Sequence, residues 1–286
     1  MSKQPWTAQL VNATALGSAL LFDRAPQIGT QPTGELHFKQ HDWNALLGRF
    51  VQGGEVDYAQ FKRVRRILEA YLERVADARP DEWTDPNEQL AFYLNTYNAI
   101  VIHQLLVHGP VASFLEVPIG FARPYPVGRE NISLHELLHS KVRAFRDPRV
   151  HMALVRAGRS CPLLQSYAYT GPQLQQQLAE VTHAFLRDEQ RGLRYDPATN
   201  TLYLSSILRR FAGDWAEPDA MPNTFNLLRG QMEPHLALPN LRRWMPEHVA
   251  VLLDRPASTR PRIAFMAYDW RLNGTFETPT VHSRAV

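Results

Sequence analysis

The chain has 286 residues, 44% of them hydrophobic and 21% charged, with a net charge of only +3; that composition supports a sizeable core and excludes a disordered polyelectrolyte. Lysine occurs only at Lys3, Lys39, Lys62 and Lys141, so 27 of the 31 basic residues are arginine, and the densest run, Lys62 to Arg66, is followed by Glu69 and Glu73 as on a solvated helix face, which argues against a nucleic-acid partner. The single cysteine, Cys161, excludes an intrachain disulfide and any zinc site of the Cys-x-x-Cys type.

Residues 1–34 read as a poorly periodic leader. Its apolar stretch, Leu10 to Phe22, is interrupted by Asn12, Thr14, Gly17 and Ser18, which is unlike a secretory core. No apolar run reaches the roughly 18–20 residues of a membrane span. Neither export nor a membrane span is expected, and the cytoplasm is the expected compartment.

From His41 the pattern becomes helical. Asp42 is placed to cap a helix carrying Trp43, Leu46, Leu47 and Phe50. Gly53-Gly54 turns the chain, and Phe61, Val64, Ile67, Leu68, Tyr71, Leu72 and Val75 mark one face of a helix over residues 58–79. Asp85 and Pro86 supply an N-cap and first-turn proline for a helix to about His108. It is apolar nearly all round, which predicts a buried central helix. Residues 110–130 read as a loop. Ser133 and Glu136 form a capping box for a helix over 134–145. The short apolar run Val150 to Val155 predicts a core strand. A helix follows over residues 172–187, then strands near 202–205 and 262–268. The expected fold class is α+β, with a small, mostly antiparallel sheet packed against the buried central helix and its neighbours. Residues 35–276 make one domain, and residues 277–286 read as a frayed tail.

The segment from His151 to Cys161 is the candidate chemical centre. A Ser160 N-cap and Pro162 would place Cys161 in a helix's first turn, where free N–H groups and nearby Arg156 and Arg159 favour a thiolate. With His151 as base, that pair suits thiol hydrolysis or acyl transfer. Asn95 and Asn98 lie three apart on one helix face, and either would orient the imidazole or donate to an oxyanion; Glu88 and His139 are further candidates. Arg149 is placed to bind a substrate carboxylate, with Glu88 and Ser160 beside it. No metal ligand set and no cofactor is expected. Each residue also has a structural reading: Asn95 and Asn98 tying loop backbone to the core, His151 a hydrogen-bonded core histidine, Cys161 a small buried hydrophobe.

The motifs resemble those of the family catalogued as domain of unknown function 547, found in bacteria, plants and animals. The matching blocks are Val56-Asp57-Tyr58, Glu88 to Ala99, Leu134 to Arg143, Asp147 to His151, Ser160-Cys161-Pro162, Leu204 to Leu208 with Asp214-Trp215, and Tyr268 to Asn273. The sequence departs from the family in having Leu138 where an acidic residue usually precedes His139, and Arg156 where many members have a second cysteine. The resemblance implies a fold and a site more than a reaction. It also implies the periplasm as the alternative compartment, because bacterial relatives are often exported. Two functional expectations stand. One is a cysteine-dependent hydrolase or acyl transferase acting on an amide or thioester of a small-molecule or peptide substrate. The other is a non-catalytic binding or scaffolding domain for a protein partner, in which the same residues form a structural polar network.

Overall fold

A computed structural model describes residues 38–216 and 237–277; the leader lies outside them, as do residues 278–286 of the tail. The helix Pro86–His108 organises everything else. Asp85 caps it, its side chain accepting from the Asn87 N–H at 2.8 Å, and from Leu90 to Leu106 every residue except His103 is buried. An apolar surface on all sides must be covered on all sides. The helices Tyr58–Arg63, Arg65–Asp77 and Leu174–Arg187 pack against it, and His41–Phe50 packs on Arg65–Asp77. The turn at Val64 splits what the periodicity predicts as one helix. Trp43 stacks on Tyr71 at 5.9 Å, and Phe38 meets Phe92 edge-on at 5.0 Å. Burying each such side chain stabilises the fold by about 1.5–3 kcal/mol. The central helix is long and apolar enough to cross a membrane by length and composition, beyond what the search for apolar runs suggests, yet 89% of that window is buried inside the fold.

The α+β class holds, but the single sheet does not. Three small sheets are present among the described residues. Strands β1 (Val51–Gln52) and β2 (Glu55–Asp57) form a tight hairpin, and β2 pairs in parallel with β8 (Gly274–Thr275). The hairpin turn needs left-handed backbone at both central positions, which Gly53 (φ 57°) and Gly54 (φ 85°) supply. Strands β3 (Pro124–Val127) and β4 (Glu130–Ser133) form a second hairpin inside the stretch read as loop. In the third sheet β5 (Leu193–Asp196) runs antiparallel to β6 (Thr201–Leu204), which pairs in parallel with β7 (Arg262–Phe265).

The strand expected over 150–155 is corrected: Val150–Ala153 is a single helical turn, followed by extended backbone. Asp147 starts the turn, its carboxylate accepting from the Arg149 N–H at 3.0 Å. Asn98 on the central helix then takes the Ala153 carbonyl and the Val155 N–H. Those backbone groups are satisfied by a side chain, so the run needs no sheet partner. A short buried apolar run reads equally as strand or helix.

Candidate functional site

The segment carrying Cys161 is held by backbone pairing with the chain after β7. The Asn273 N–H donates to the Ala157 carbonyl at 3.0 Å, and the Arg159 N–H to the Arg271 carbonyl at 2.8 Å. Ser160 binds Asp269 twice: its N–H donates to the Asp269 carbonyl at 3.2 Å, and its Oγ accepts from the Asp269 N–H at 2.9 Å. Ser160 is therefore a clamp and not a helix cap. No helical turn begins at Cys161; the chain stays irregular or extended until Gly171–Gln173. The expected helix-terminus environment for the thiol is absent because Asp269 captures the would-be capping side chain.

Cys161 is 2% exposed. Its Sγ accepts from the Arg156 N–H at 3.2 Å and lies 2.9 Å from Tyr268 Oη. Burial, with the Cys161 sulfur beside it, pushes the Tyr268 phenol well above its ordinary value, so the hydroxyl stays neutral and able to donate. The Arg156 Nε–H donates to Tyr97 Oη at 3.3 Å, and the guanidinium lies 5.4 Å over the Phe211 ring.

His151 belongs to a different network. It is 3% exposed, stacks flat on Phe211 at 3.8 Å, and places Nε2 2.7 Å from Asp214 Oδ2. Arg143 grips the same carboxylate through Nε at 2.8 Å and Nη2 at 2.5 Å, while its Nη1 donates to His139 Nδ1 at 2.8 Å. Burial pushes the Asp214 carboxyl up, but the hydrogen bonds from His151 and Arg143, with the Arg143 charge, hold it well below the usual carboxylate range. For His151, burial lowers the imidazole more than Asp214 raises it, so the ring is neutral at neutral pH. His139 is pushed down to about 4 by burial and by the charges of His135, Arg143, Arg210 and Arg156.

Donor and acceptor chemistry then assigns the tautomers. A carboxylate only accepts, so His151 carries its proton on Nε2 and presents Nδ1 as the lone pair. A guanidinium only donates, so His139 Nδ1 accepts and Nε2 carries the proton. The Asp214–His151 pair has the chemistry of an oriented general base. Its ring is covered by Phe211, however, and Cys161 is not its hydrogen-bond partner. Cys161 and His151, expected as a pair, share no hydrogen bond: the sulfur is bonded to Arg156 and Tyr268, and the imidazole to Asp214 through Nε2.

The other candidates are occupied in the same way. Asn95 and Asn98 share one face, as their spacing predicts, but both clamp backbone. Asn95 Nδ2 donates to the Tyr169 carbonyl at 2.7 Å, and its Oδ1 accepts from the Tyr169 N–H at 3.0 Å. Asn98 does the same with the Ala153 carbonyl and Val155 N–H, both at 2.9 Å. Neither amide is directed at a thiol or an imidazole. Arg149 is bound to Asp147 at 2.6–3.1 Å and to Gln175, and lies 5.5 Å over Trp244, so its fork is filled by the protein itself. Glu88 packs against Gly171, where a Cβ would come within 2.5 Å of its carboxyl carbon. It sits nine residues, about 13.5 Å along the helix axis, from Tyr97.

A pocket of about 510 Å³ opens beside the second network, lined by His139, Arg143, Arg146, Asp147, Val150 and Asp214 among others. Neither Cys161 nor His151 lines it. Asp214 and Tyr268 were the residues sequence reasoning missed as partners; each stands in a block that carries the family resemblance, but no local spacing ties Asp214 to His151, 63 positions away. Among the described residues no three His, Cys, Asp or Glu side chains gather as a metal site.

Residues 80–186 match the model of a family described as "Protein of unknown function, DUF547", which supports the resemblance read from the motifs. The match contains the central helix, His139, Arg143, His151 and Cys161, and ends before Asp214 and Tyr268. No curated protein and no solved structure matches the chain.

Proposed function

We propose that this chain is a binding domain whose ligand sits in the pocket beside His139, Arg143 and Asp214, with the Cys161 segment as its framework. The observation that carries this reading is that the two members of the expected catalytic pair each bond to other partners and share no hydrogen bond. The thiol is bonded to Arg156 and Tyr268, the imidazole to Asp214. Asn95, Asn98, Ser160 and Arg149 each serve backbone or an internal carboxylate. Buried polar groups satisfied in this manner define a unique core.

The test uses Cys161→Ala. The framework reading expects a folded variant destabilised by about 1–3 kcal/mol, because the Tyr268 hydroxyl and the Arg156 N–H lose a buried partner. It also expects that an electrophilic acyl probe fails to label the native wild type, and that ligand binding survives the substitution.

One observation favours the second reading, a thiol hydrolase or acyl transferase for an amide or thioester. The sulfur accepts from the Arg156 N–H and lies against the Tyr268 hydroxyl, so donors are already directed at it, as a nucleophilic thiol site requires. That reading expects rapid acyl-probe labelling of the native protein at Cys161, abolished in Cys161→Ala together with turnover. Such a result would overturn the framework reading.

A further inference from the structure

We propose that the pocket walled by His139, Arg143, Arg146 and Asp214 binds an oxyanion, the phosphate or carboxylate group of a small molecule. This deepens the binding-domain reading and rests on it.

The two carboxylates of the wall are already paired within the protein. Asp214 accepts from Arg143 on both oxygens and also from His151. Asp147 accepts from the Arg149 side chain on both oxygens and from the Arg149 N–H. Each therefore has a cation of its own within the protein, and neither calls for a bound cation. The donors are not saturated. Arg143 commits three of its five N–H groups, to Asp214 twice and to His139 once, leaving two. The Arg143 bond fixes the His139 tautomer, so its other nitrogen is an N–H donor. Arg146 closes the helical stretch in a left-handed conformation (φ 54°), is exposed, and has no ion pair among the described residues.

Among the described residues, Arg146 is the charged side chain of the wall that has no internal ion pair. Arg156 and Arg210 both lie over Phe211, at 5.4 and 5.7 Å. With His135, whose ring centroid is 4.4 Å from that of His139, and with Arg143, they act on His139 and help keep it unprotonated. Uncommitted N–H donors of Arg143 and His139 beside the Arg146 guanidinium suit an oxyanion, and guanidinium forks match the geometry of phosphate and carboxylate oxygens. The volume, about 510 Å³, is that of a small-molecule site.

The experiment is titration of the full chain with inorganic phosphate and with acetate, read by thermal unfolding and by calorimetry, against sodium chloride at matched ionic strength. Phosphate, acetate or both should raise the melting temperature beyond the chloride control, and which one does so identifies the oxyanion. Arg146→Gln, an exposed position, should melt as wild type without ligand and bind about tenfold more weakly, the loss of one charge-assisted contact. Arg65→Gln, in a half-buried ion pair with Glu69 and outside the pocket lining, should bind as wild type. A response no greater than chloride, or equal affinity in Arg146→Gln, would overturn the proposal. The two readings fail separately. An anion bound normally by a protein that needs Cys161 for turnover keeps this site and removes the framework reading. Absent anion binding in a Cys161→Ala protein that is merely less stable does the reverse.

Discussion

Replacing Asn98 with alanine separates a structural amide from a catalytic one. The Asn98 side chain is the partner of the Ala153 carbonyl and the Val155 N–H, each at 2.9 Å, and both of those residues are buried. Asn98→Ala strands one backbone acceptor and one backbone donor. Each stranded buried group costs about 1–3 kcal/mol, so the substitution should destabilise the fold by about 2–6 kcal/mol. Against a total stability of about 5–15 kcal/mol, that is a large fraction. Asn98→Asp should be no better, because it keeps the acceptor for Val155 but sets a carboxylate oxygen against the Ala153 carbonyl. The assay is urea unfolding followed by circular dichroism, in which the midpoint should fall with little change in slope. An Asn98→Ala protein within about 0.5 kcal/mol of wild type, the range of ordinary surface substitutions, would refute the clamp.

Stability should also fall on acidification through a defined window. The unfolded chain takes up a proton on each histidine near pH 6.5, whereas folded His139 resists until about 4 and folded His151 also lies below its ordinary value. The unfolded state binds more protons across that interval, so stability is full above about pH 6.5 and declines as pH falls toward 4. Urea midpoints measured against pH should show this slope, and His139→Gln should flatten part of it; identical slopes would contradict the assignment. Asp214, held below the carboxylate range, contributes stability lost only at lower pH still. Gly192→Ala should destabilise by about 1–3 kcal/mol or more, as overpacking does. The reason is that its Cβ would fall 1.7 Å from the Phe185 carbonyl oxygen, where the backbone leaves the helix Leu174–Arg187 for β5. Thermal melts of that variant at wild-type values would contradict the close approach.

What was legible in the sequence follows the range of the interactions. The Asp85–Pro86 start of the central helix and the Ser133–Glu136 capping box are local devices, and both stand where the sequence puts them. The buried character of the central helix follows from its apolar circumference. The strand expected at Val150 failed because a six-residue apolar run has no period long enough to distinguish a strand from a buried turn, and Asn98, 55 positions before Ala153, decides it. The spacing of Asn95 and Asn98 was correctly read as one face, yet their partners depend on which loops cross that face. The same limit applies to the site. Ser160 and Pro162 carry a helix-start signal, and Asp269, 109 positions later, overrides it. His151 was recognised as a chemically significant residue, but its partner Asp214 comes from a helix that no local pattern joins to it.

The central claim is that Cys161 is sealed into a framework of its own, apart from His151. Its most direct measurement is the rate of iodoacetamide alkylation of the native protein across pH, with and without denaturant. Slow labelling that rises steeply with denaturant, and is unchanged in His151→Gln at equal stability, is the expected result. Fast labelling of the folded protein at neutral pH that depends on His151 would contradict the claim.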